Sequence, residues 1–302
     1  MTRHLLTILD LSREEIVHLL ARARELKVLH KQGQNPASLE RKTVAMIFDK
    51  PSTRTRVSFE AGIAQLGGSS IYLAPGQTQM SRNEPVADTA RVLSRYVDGV
   101  VVRTFAQETV AELARHSTIP VINGLTDTHH PCQVLSDLMT MEERFGDLTG
   151  LKVAWVGDGN NMANSWITAA MHLDFALHLA CPPGYEPDAC LLAQAKQQGA
   201  RVYLGQDPEA AVAGAQVINT DVWASMGQED EAAARLEVFK PFQVNSRLIK
   251  KAAPHAIVLH CLPAHRGEEI TAAVLDGPQS AAWDQAENRL HFQKALLEWL
   301  LG

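Results

Sequence analysis

The opening stretch of the chain combines a helix-capping pattern with apolar residues at helical spacing. Ser12 is followed three residues later by Glu15, which is the pattern of a capping box. Apolar residues then recur every three or four positions, at Ile16, Leu19, Leu20, Ala23 and Leu26. This period places them on one face of a helix, so the pattern predicts a helix that begins just after Ser12.

From residue 43 onward, short apolar runs alternate with helical patterns. The predicted strands are Thr43–Phe48, Ser69–Leu73, Gly99–Arg103, Pro120–Asn123, Lys152–Val156, Ala176–Ala180, Arg201–Leu204, Gln216–Thr220 and Ala256–His260. The predicted helices include Thr53–Leu66, Pro85–Tyr96, Gln107–Arg115, Pro131–Phe145 and Trp283–Leu300. The stretch Asp221–Val244 has little strand pattern and is expected to be a mobile lid or loop. Alternating strands and helices predict an α/β fold with two doubly wound parallel sheets.

The length of 302 residues agrees with two domains, at about 150 residues per domain. We expect a first domain over residues 1–145 and a second over residues 146–285, joined by helices. The last segment, residues 286–302, is expected to be a helix that returns to the first domain. In folds of this class ligands bind beyond the carboxyl ends of the strands, so candidate functional residues should follow the strands.

Composition and charge indicate which classes of partner and which cellular compartment to expect. The net charge of −6 provides no global attraction for nucleic acid. No apolar run reaches the length of about 18 residues that a membrane span needs, and no signal peptide is evident. The four cysteines form no CxxC pair, which favours a reducing compartment. We expect a cytoplasmic protein that binds neither nucleic acid nor a membrane.

Hydroxyl and guanidinium groups alternate directly after the first predicted strand. The run is Ser52-Thr53-Arg54-Thr55-Arg56, and it opens a helix. Backbone N–H groups at a helix start favour an anion, and an arginine binds phosphate with two parallel hydrogen bonds. The pattern predicts a phosphate site, although any one of these residues could equally be an ordinary helix cap or a solvated charge.

Two further strands end at residues that suit the same anion. Arg103 ends one of them, and His130 and Gln133 open the helix that follows another. An imidazole in that place can donate a hydrogen bond to a carbonyl oxygen that gains charge during a reaction. A surface arginine and a helix-capping histidine are the alternatives. A zinc site from His130, Cys132, His260 and Cys261 matches no usual spacing, so we expect no metal.

The second half of the chain offers groups that suit an amine. Asp221 follows a predicted strand, and the sequence His260-Cys261-Leu262-Pro263 ends the last one. A carboxylate and backbone carbonyls are natural partners for an ammonium or amine. The segment Gly157-Asp158-Gly159 resembles a dinucleotide-binding turn, but Met162 replaces the third glycine and no acidic residue follows the next strand. We therefore expect no cofactor.

Four motifs, in this order along the whole chain, resemble those of the carbamoyltransferases. Ser52-Thr53-Arg54-Thr55-Arg56 and His130-Pro131-Cys132-Gln133 are similar to the carbamoyl-phosphate motifs of that family. The motifs that begin at Asp221 and His260 are similar to those of its ornithine branch, and the first of them contains Ser225-Met226-Gly227.

The resemblance implies a transferase that carbamoylates the side-chain amine of L-ornithine and releases citrulline and phosphate. We expect arginine biosynthesis rather than breakdown, and a homotrimer or a multiple of trimers. The implied carbamoyl-phosphate site contains Ser52, Thr53, Arg54, Thr55, Gln79, Arg103, His130, Gln133, the backbone of Cys261 and Leu262, and Arg289. The implied ornithine site contains Asn164, Asp221, Ser225 and Met226.

The resemblance also implies roles and shows two departures. Thr55, Arg103, His130 and Cys261 are the expected catalytic or oxyanion-stabilising residues, and Gln79 is expected to reach a neighbouring subunit's site. Asn83 stands where a glycine is usual before Glu84, and Cys132 occupies the variable position between Pro131 and Gln133. One rival substrate is aspartate, for which the loop around Gln79 lacks the expected lysine. Acetylated ornithine and putrescine are the other rivals, and the run Ser225-Met226-Gly227 argues against both.

Overall fold

The predicted alternation of strands and helices is confirmed, and it builds two parallel sheets. The computed structural model describes residues 2–76, 78, 80, 84–224 and 231–302. Unit 1 comprises Met1–Met139 and Glu287–Gly302, and unit 2 comprises Thr140–Ala286. Both divisions fall inside helices, so each of two helices contributes residues to both units.

The sheet of unit 1 has four strands in the order β2-β1-β3-β4. Its strands are β1 (Thr43–Phe48), β2 (Ser69–Leu73), β3 (Gly99–Arg103) and β4 (Val121–Leu125). All three pairings are parallel, and Phe48 at the end of β1 lies beside Arg103 at the end of β3. β3 is buried along its whole length, because helices cover both faces of a parallel sheet.

The sheet of unit 2 has five parallel strands in the order β7-β6-β5-β8-β9. Its strands are β5 (Lys152–Val156), β6 (Ala176–Ala180), β7 (Val202–Gly205), β8 (Val217–Thr220) and β9 (Ile257–His260). Strand order reverses at β5, which lies between β6 and β8. Ligands of doubly wound folds bind at such a reversal, so the loops after β5 and β8 are the place to look for a site.

The helices cover these sheets. Those associated with unit 1 are α1 (Arg13–Lys31), α2 (Thr53–Gln65), α3 (Val86–Leu93), α4 (Gln107–His116), α5 (Pro131–Phe145) and α12 (Ala282–Leu301). Those of unit 2 are α6 (Asn161–Ala170), α7 (Ala189–Gln197), α8 (Pro208–Val212), α9 (Ala232–Phe239), α10 (Ser246–Ile249) and α11 (Ala272–Leu275). The part of the chain that the structure describes also contains the 3₁₀ turns Ile8–Asp10 and Lys240–Phe242.

The C-terminal helix α12 packs against α1, as expected. Arg22 on α1 donates two hydrogen bonds, of 2.7 and 3.1 Å, to the carboxylate of Glu298 on α12. Lys27 donates a third, of 2.7 Å, to Asn288. The capping box predicted at Ser12 is present, because Ser12 and Glu15 bond each other's backbone N–H groups. These polar contacts fix the register of the last helix on the first.

The stretch Asp221–Val244 differs from its expected loop character. It contains helix α9 and the 3₁₀ turn Lys240–Phe242. Phe239 is fully buried and Arg235 is almost fully buried, so this helix packs by an aromatic and a charged side chain rather than by an apolar stripe. A short helix held in this way leaves little periodic signal in the sequence.

Candidate active site

The start of α2 lies at the carboxyl end of β1 and presents the predicted run of hydroxyls and guanidiniums. Ser52 is the N-cap, and its hydroxyl accepts a hydrogen bond of 3.3 Å from the backbone N–H of Thr55. Thr53 is exposed and Arg54 is half-buried. The N-cap bond defines the helix start, where backbone N–H groups and the helix dipole favour an anion.

Thr55 and Arg289 are brought together from opposite ends of the chain. Nη2 of Arg289 donates a hydrogen bond of 2.6 Å to Oγ1 of Thr55, and both residues are buried. Arg289 lies on α12, so the return of this helix to unit 1 places a C-terminal guanidinium beside the α2 motif.

His130 precedes α5 and is buried among positive charges. Burial is the largest cause that lowers the pKa of its imidazole well below the usual 6.5. Three guanidiniums lower this pKa further, those of Arg289, Arg103 and Arg54. A neutral imidazole surrounded by cations suits a pocket that receives an anion and donates hydrogen bonds to it.

Gln133 and Cys132 occupy the first turn of α5 in different ways. Nε2 of the buried Gln133 donates a hydrogen bond of 2.8 Å to Oδ1 of Asp137, one turn further along the helix. Cys132 is fully buried, and its thiol donates to the backbone oxygen of Asn123. Burial raises the pKa of this thiol to about 12. Cys132 is therefore an uncharged core residue rather than a reactive one.

Arg56, at the start of the same helix as Arg54, makes contacts of its own. Arg56 bonds Glu60 at 3.0 Å, and its guanidinium lies 3.6 Å from the ring centroid of Tyr72. It is therefore held on the outer side of α2 by neighbours of its own. Gln79 and Asn83, which the resemblance associates with this site, lie outside the described residues.

Asp221 in unit 2 accepts three hydrogen bonds. It follows β8 and is 8% exposed. Its Oδ2 accepts a hydrogen bond of 3.0 Å from Nδ2 of Asn160. Its Oδ1 accepts from the thiol of Cys261, at 2.9 Å, and from the backbone N–H of Val222, at 2.8 Å. These bonds fix the orientation of the carboxylate.

The segment after β9 is held by a buried histidine. Nδ1 of His260 accepts the backbone N–H of Leu262 at 2.9 Å, which leaves its Nε2 to donate to Oε1 of Glu269 at 3.0 Å. Leu262 has a φ of +57° and is followed by a cis peptide bond to Pro263. The backbone of Cys261 and Leu262, which is expected to contact substrate, thus has a defined conformation.

Asn164 lies on α6 and is buried. Its Oδ1 accepts a hydrogen bond of 3.0 Å from the backbone N–H of Asp188, so one end of this amide holds the loop before α7. Ser225 and Met226, the other two expected ornithine ligands, lie outside the described residues. In unit 2 the structure therefore brings together Asp221 and Cys261.

Asp158 and Arg235 form a buried ion pair close to Asp221. Nη1 of Arg235 donates hydrogen bonds to Oδ2 of Asp158, at 3.0 Å, and to the backbone oxygen of Trp223, at 2.8 Å. Burial raises the pKa of Asp158 to about 6, Arg235 opposes this shift, and the charge of Asp221 adds to it. The ion pair joins the loop after β5 to the segment after β8.

Two groups of side chains in the described residues place possible metal ligands within 4.8 Å of one another. They are Asp221 with His260 and Cys261, and His265 with Glu268 and Glu269. Asp221 and both ring nitrogens of His260 already make hydrogen bonds within the protein. The first group is therefore held without an ion.

Several residues at these sites were not singled out from the sequence. Asn160 and Asp158 belong to the turn that resembles a dinucleotide motif, and their partners Asp221 and Arg235 lie more than 60 residues later in the sequence. Lys50 lies two residues before Ser52, and nothing in the local sequence indicates that it is buried.

None of the helices within the described residues combines the length and the hydropathy that a membrane span requires.

Comparison with known protein families matches both halves of the chain. Residues 3–143 match a family model described as the carbamoyl-P binding domain of aspartate/ornithine carbamoyltransferase. Residues 149–300 match the model described as the Asp/Orn binding domain of the same family.

Individual relatives cover the chain from end to end. An ornithine carbamoyltransferase from Desulfotalea psychrophila is 59% identical over 303 residues, 100% of this chain and 100% of that protein. An anabolic ornithine carbamoyltransferase from Pseudomonas aeruginosa is 56% identical, over 99% of this chain and 97% of its own. The solved ornithine carbamoyltransferase of Pyrococcus furiosus is 51% identical, with a TM-score of 0.96 over 99% of this chain and 97% of that one.

Proposed function

This chain belongs to the aspartate/ornithine carbamoyltransferase family, and we propose that it transfers the carbamoyl group of carbamoyl phosphate to the side-chain amine of L-ornithine. The products are L-citrulline and phosphate. The observation that carries this function is the cluster of guanidiniums around His130, which Arg54, Arg103 and Arg289 form in unit 1. Such a cluster suits a small, multiply charged anion.

Carbamoyl phosphate is bound, in this proposal, by the loops after β1, β3 and β4 and by α12. Ser52, Thr53 and Arg54 hold the phosphate, which Arg289 also neutralises. Thr55, Arg103 and His130 contact the carbonyl oxygen, and Gln133 completes the carbamoyl end. Gln79 of a neighbouring subunit and the backbone of Cys261 and Leu262 are the remaining proposed ligands.

Ornithine is bound, in this proposal, by Asn164, Asp221, Ser225 and Met226. The support from the structure is the fixed carboxylate of Asp221, with Asn160 and Cys261 around it. A carboxylate attracts the side-chain amine of ornithine and repels a second carboxylate. It therefore favours ornithine over aspartate, the other substrate found in this family's name.

The reaction needs no cofactor. The uncharged amine attacks the carbamoyl carbon, and a tetrahedral intermediate with a negative oxygen forms. Thr55, Arg103 and the neutral imidazole of His130 donate hydrogen bonds to that oxygen, while Arg54 and Arg289 hold the departing phosphate. The C–O bond to phosphate then breaks. Preorganised donors of this kind each contribute about 10²–10³ in rate.

The attacking nitrogen must lose two protons in all, one before attack and one as the product forms. A free alkylammonium has a pKa near about 10.4, so the site has to favour the neutral amine. Nearby guanidiniums do so by charge repulsion. Asp221 and Cys261 orient the amine, and we propose that the phosphate oxygen accepts the second proton as it leaves.

The metabolic role, the assembly and the compartment of the protein are further parts of this proposal. We propose arginine biosynthesis, supported by the Pseudomonas relative that is named anabolic. We also propose a homotrimer or a multiple of trimers in the cytoplasm. Exposed apolar residues on unit 1, such as Val57, Ile71 and Phe105, support association between copies, and the four free cysteines suit a reducing compartment. Light scattering of the purified protein measures the assembly.

A parallel substrate assay tests the function. Purified protein is incubated with carbamoyl phosphate and with ornithine, aspartate, putrescine or N-acetylornithine, and ureido product is measured. The proposal requires citrulline from ornithine as the dominant product. Product from aspartate, putrescine or N-acetylornithine in excess of citrulline would contradict it, as would no product from any of the four.

A further inference from the structure

Lys294 on α12 is a fully buried cation that the mechanism above does not use. Its ammonium donates hydrogen bonds to Oδ1 of Asn35, at 2.8 Å, and to Oε1 of Gln65, at 3.2 Å. Both acceptors are neutral amides, whereas a lysine buried to this degree usually bonds an anion. Burial is the largest cause that lowers the pKa of this ammonium, Glu298 opposes the shift, and Arg22 adds to it. The charge of Lys294 therefore contributes little to folding by itself.

The contact with Gln65 lies at the carboxyl end of α2, because Gln65 is the last residue of that helix. Carbonyl groups at a helix end carry partial negative charge, which favours a cation there. The start of the same helix is the proposed anion site, where Thr55 accepts the hydrogen bond from Arg289. Helix α12 thus holds α2 at two places, which lie about 15 Å apart along α2 at a rise of about 1.5 Å per residue.

The two helices also approach each other closely near the second of these places. Gly62 in α2 is buried, and a Cβ atom on it would lie 3.2 Å from Cγ of Lys294 and 3.5 Å from Cδ1 of Leu290. Glycine is unfavourable in a helix interior relative to alanine, so the close approach accounts for its presence here. The aliphatic part of Lys294 crosses α2 at Gly62, and the ammonium extends from there to Gln65.

Two separated contacts determine the direction of a helix, whereas a single contact lets it pivot. We propose that Lys294 is a positioning residue, which holds the end of α2 on α12 and thereby orients the start of α2 toward carbamoyl phosphate. It acts through Gln65 rather than by contact with the anion. This inference rests on the proposed function for the identity of the ligand. Small displacements of binding groups matter, because a shift of about 1 Å can reduce a rate by about 10²-fold.

A purely stabilising role for Lys294 predicts a different result when the ammonium is removed. Methionine has nearly the length of lysine, so Lys294→Met keeps the packing and removes the cost of burying a charge. Asn35 is exposed and Gln65 is half-buried, so water can replace the lost hydrogen bonds. We therefore expect thermal stability to be retained while affinity for the anion falls. A residue that only stabilised the fold would show the reverse.

The test measures binding of inorganic phosphate and of phosphonoacetamide, a stable analogue of carbamoyl phosphate, by titration calorimetry. The variants are Lys294→Met, Gln65→Leu and Asn35→Ala. Glu298→Gln is the matched control, because Glu298 lies one turn further along α12 and bonds Arg22 on α1 instead of α2. Thermal unfolding of each variant verifies that it is folded.

We expect Lys294→Met and Gln65→Leu each to weaken analogue binding by about 10-fold. Asn35→Ala and Glu298→Gln should bind like the unmodified protein. In activity assays, the KM for carbamoyl phosphate should rise while the KM for ornithine at saturating carbamoyl phosphate stays unchanged. In a Thr55→Val background, Lys294→Met should cause little further loss of kcat/KM, because the start of α2 has then already lost its bond to α12.

Unchanged binding of the analogue in Lys294→Met overturns the proposal. An equal loss in Asn35→Ala or Glu298→Gln also overturns it, because the effect would then not pass through α2, and so does full additivity with Thr55→Val. If Lys294→Met failed to fold, Gln65→Leu would decide the same question. If the unmodified protein produced no citrulline, the proposed function would fail, while the comparison of phosphate affinities among the variants would still decide the role of Lys294.

Discussion

Arg289 reaches back along the chain to hold Thr55, a residue 234 positions earlier, with a hydrogen bond of 2.6 Å from its Nη2 to the threonine hydroxyl. The bond stands between two buried residues, and it depends on the return of α12 to unit 1. It makes the C-terminal helix part of the proposed phosphate site rather than a mere cover for the core.

Replacing Thr55 by valine should test this relationship at the least structural cost. Valine keeps the shape of the side chain and removes the hydroxyl that Arg289 and the carbonyl oxygen would share. We expect kcat/KM for carbamoyl phosphate to fall by about 10²–10³, with a similar loss in Arg289→Met and little further loss when both changes are combined.

The control for this pair lies on the same helix. Glu298 bonds Arg22 across α1 and α12, so Glu298→Gln should lower the thermal stability and leave kcat/KM unchanged. Full additivity of the Thr55 and Arg289 effects would contradict a shared role, as would an equal loss of activity in Glu298→Gln.

His130 should remain neutral at physiological pH. Its pKa is held well below 6.5 by burial and then by the surrounding arginines. Because the folded pKa lies below the unfolded one, the stabilising effect of this group is present above pH 6.5 and is lost as the pH falls. Nitrogen chemical shifts of the labelled imidazole should show the neutral form from about pH 6 to 8. A titration midpoint near 6.5 would refute this account of the pocket.

For Asp158 we expect a dependence of stability on pH that is opposite to that of His130. Its pKa is raised from 3.8 to about 6, first by burial, so protonation favours the folded state. The stabilising effect is present below about pH 4 and lost as the pH rises through 6. The free energy of unfolding of Asp158→Asn, relative to that of the unmodified protein, should therefore rise by on the order of 2–3 kcal/mol between pH 4 and 7. A cost from leaving Arg235 unpaired is added to this at every pH.

Chemical denaturation at a series of pH values measures this difference. Arg235→Met provides the second arm, because loss of the guanidinium removes the charge that lowers the pKa of Asp158 and shifts the window to higher pH. A stability difference between Asp158→Asn and the unmodified protein that stays flat over this range would show that Asp158 does not titrate there.

The four cysteines should differ sharply toward iodoacetamide. Cys190 is exposed and Cys261 is half-buried, whereas Cys132 and Cys181 are buried. Burial also raises the thiol pKa of Cys132, to about 12, and that of Cys181. The thiolate is the reactive form, so mass spectrometry should find labels on Cys190 and Cys261 only. Addition of ornithine and phosphate should protect Cys261 from labelling. Labelling of Cys132 in the folded protein at the rate of Cys190 would contradict this order.

Much of the fold could be predicted because its strands are continuous apolar runs. Five strands, among them Thr43–Phe48 and Lys152–Val156, have the predicted bounds. The bounds of the other strands differ from the predicted ones by one or two residues. An example is Val121–Leu125, which continues through Gly124 and whose pairing with β3 shifts register beside Arg103. Such a shift depends on a neighbouring strand, which the local sequence does not contain.

The site was predictable where a motif concentrates chemistry in consecutive residues. Ser52 caps the start of α2 and His130 directly precedes α5, so both stand at helix starts as expected. Lys50, Asn160 and Arg235 were missed because each acts through a partner far away in sequence, such as Asp127, Asp221 or Asp158. A lone lysine, asparagine or arginine has no pattern until the fold supplies that partner. The roles of the predicted ligands stay predictions until substrate binding is measured.

The central claim is that the arginines of unit 1 provide most of the affinity for carbamoyl phosphate, while Asp221 of unit 2 serves the amine. Calorimetric titration of phosphonoacetamide into the unmodified protein, Arg54→Met and Asp221→Asn tests this division most directly. We expect Arg54→Met to lose at least about 100-fold in affinity and Asp221→Asn to bind the analogue as the unmodified protein does. Equal affinity in Arg54→Met, or a comparable loss in Asp221→Asn, would contradict the claim.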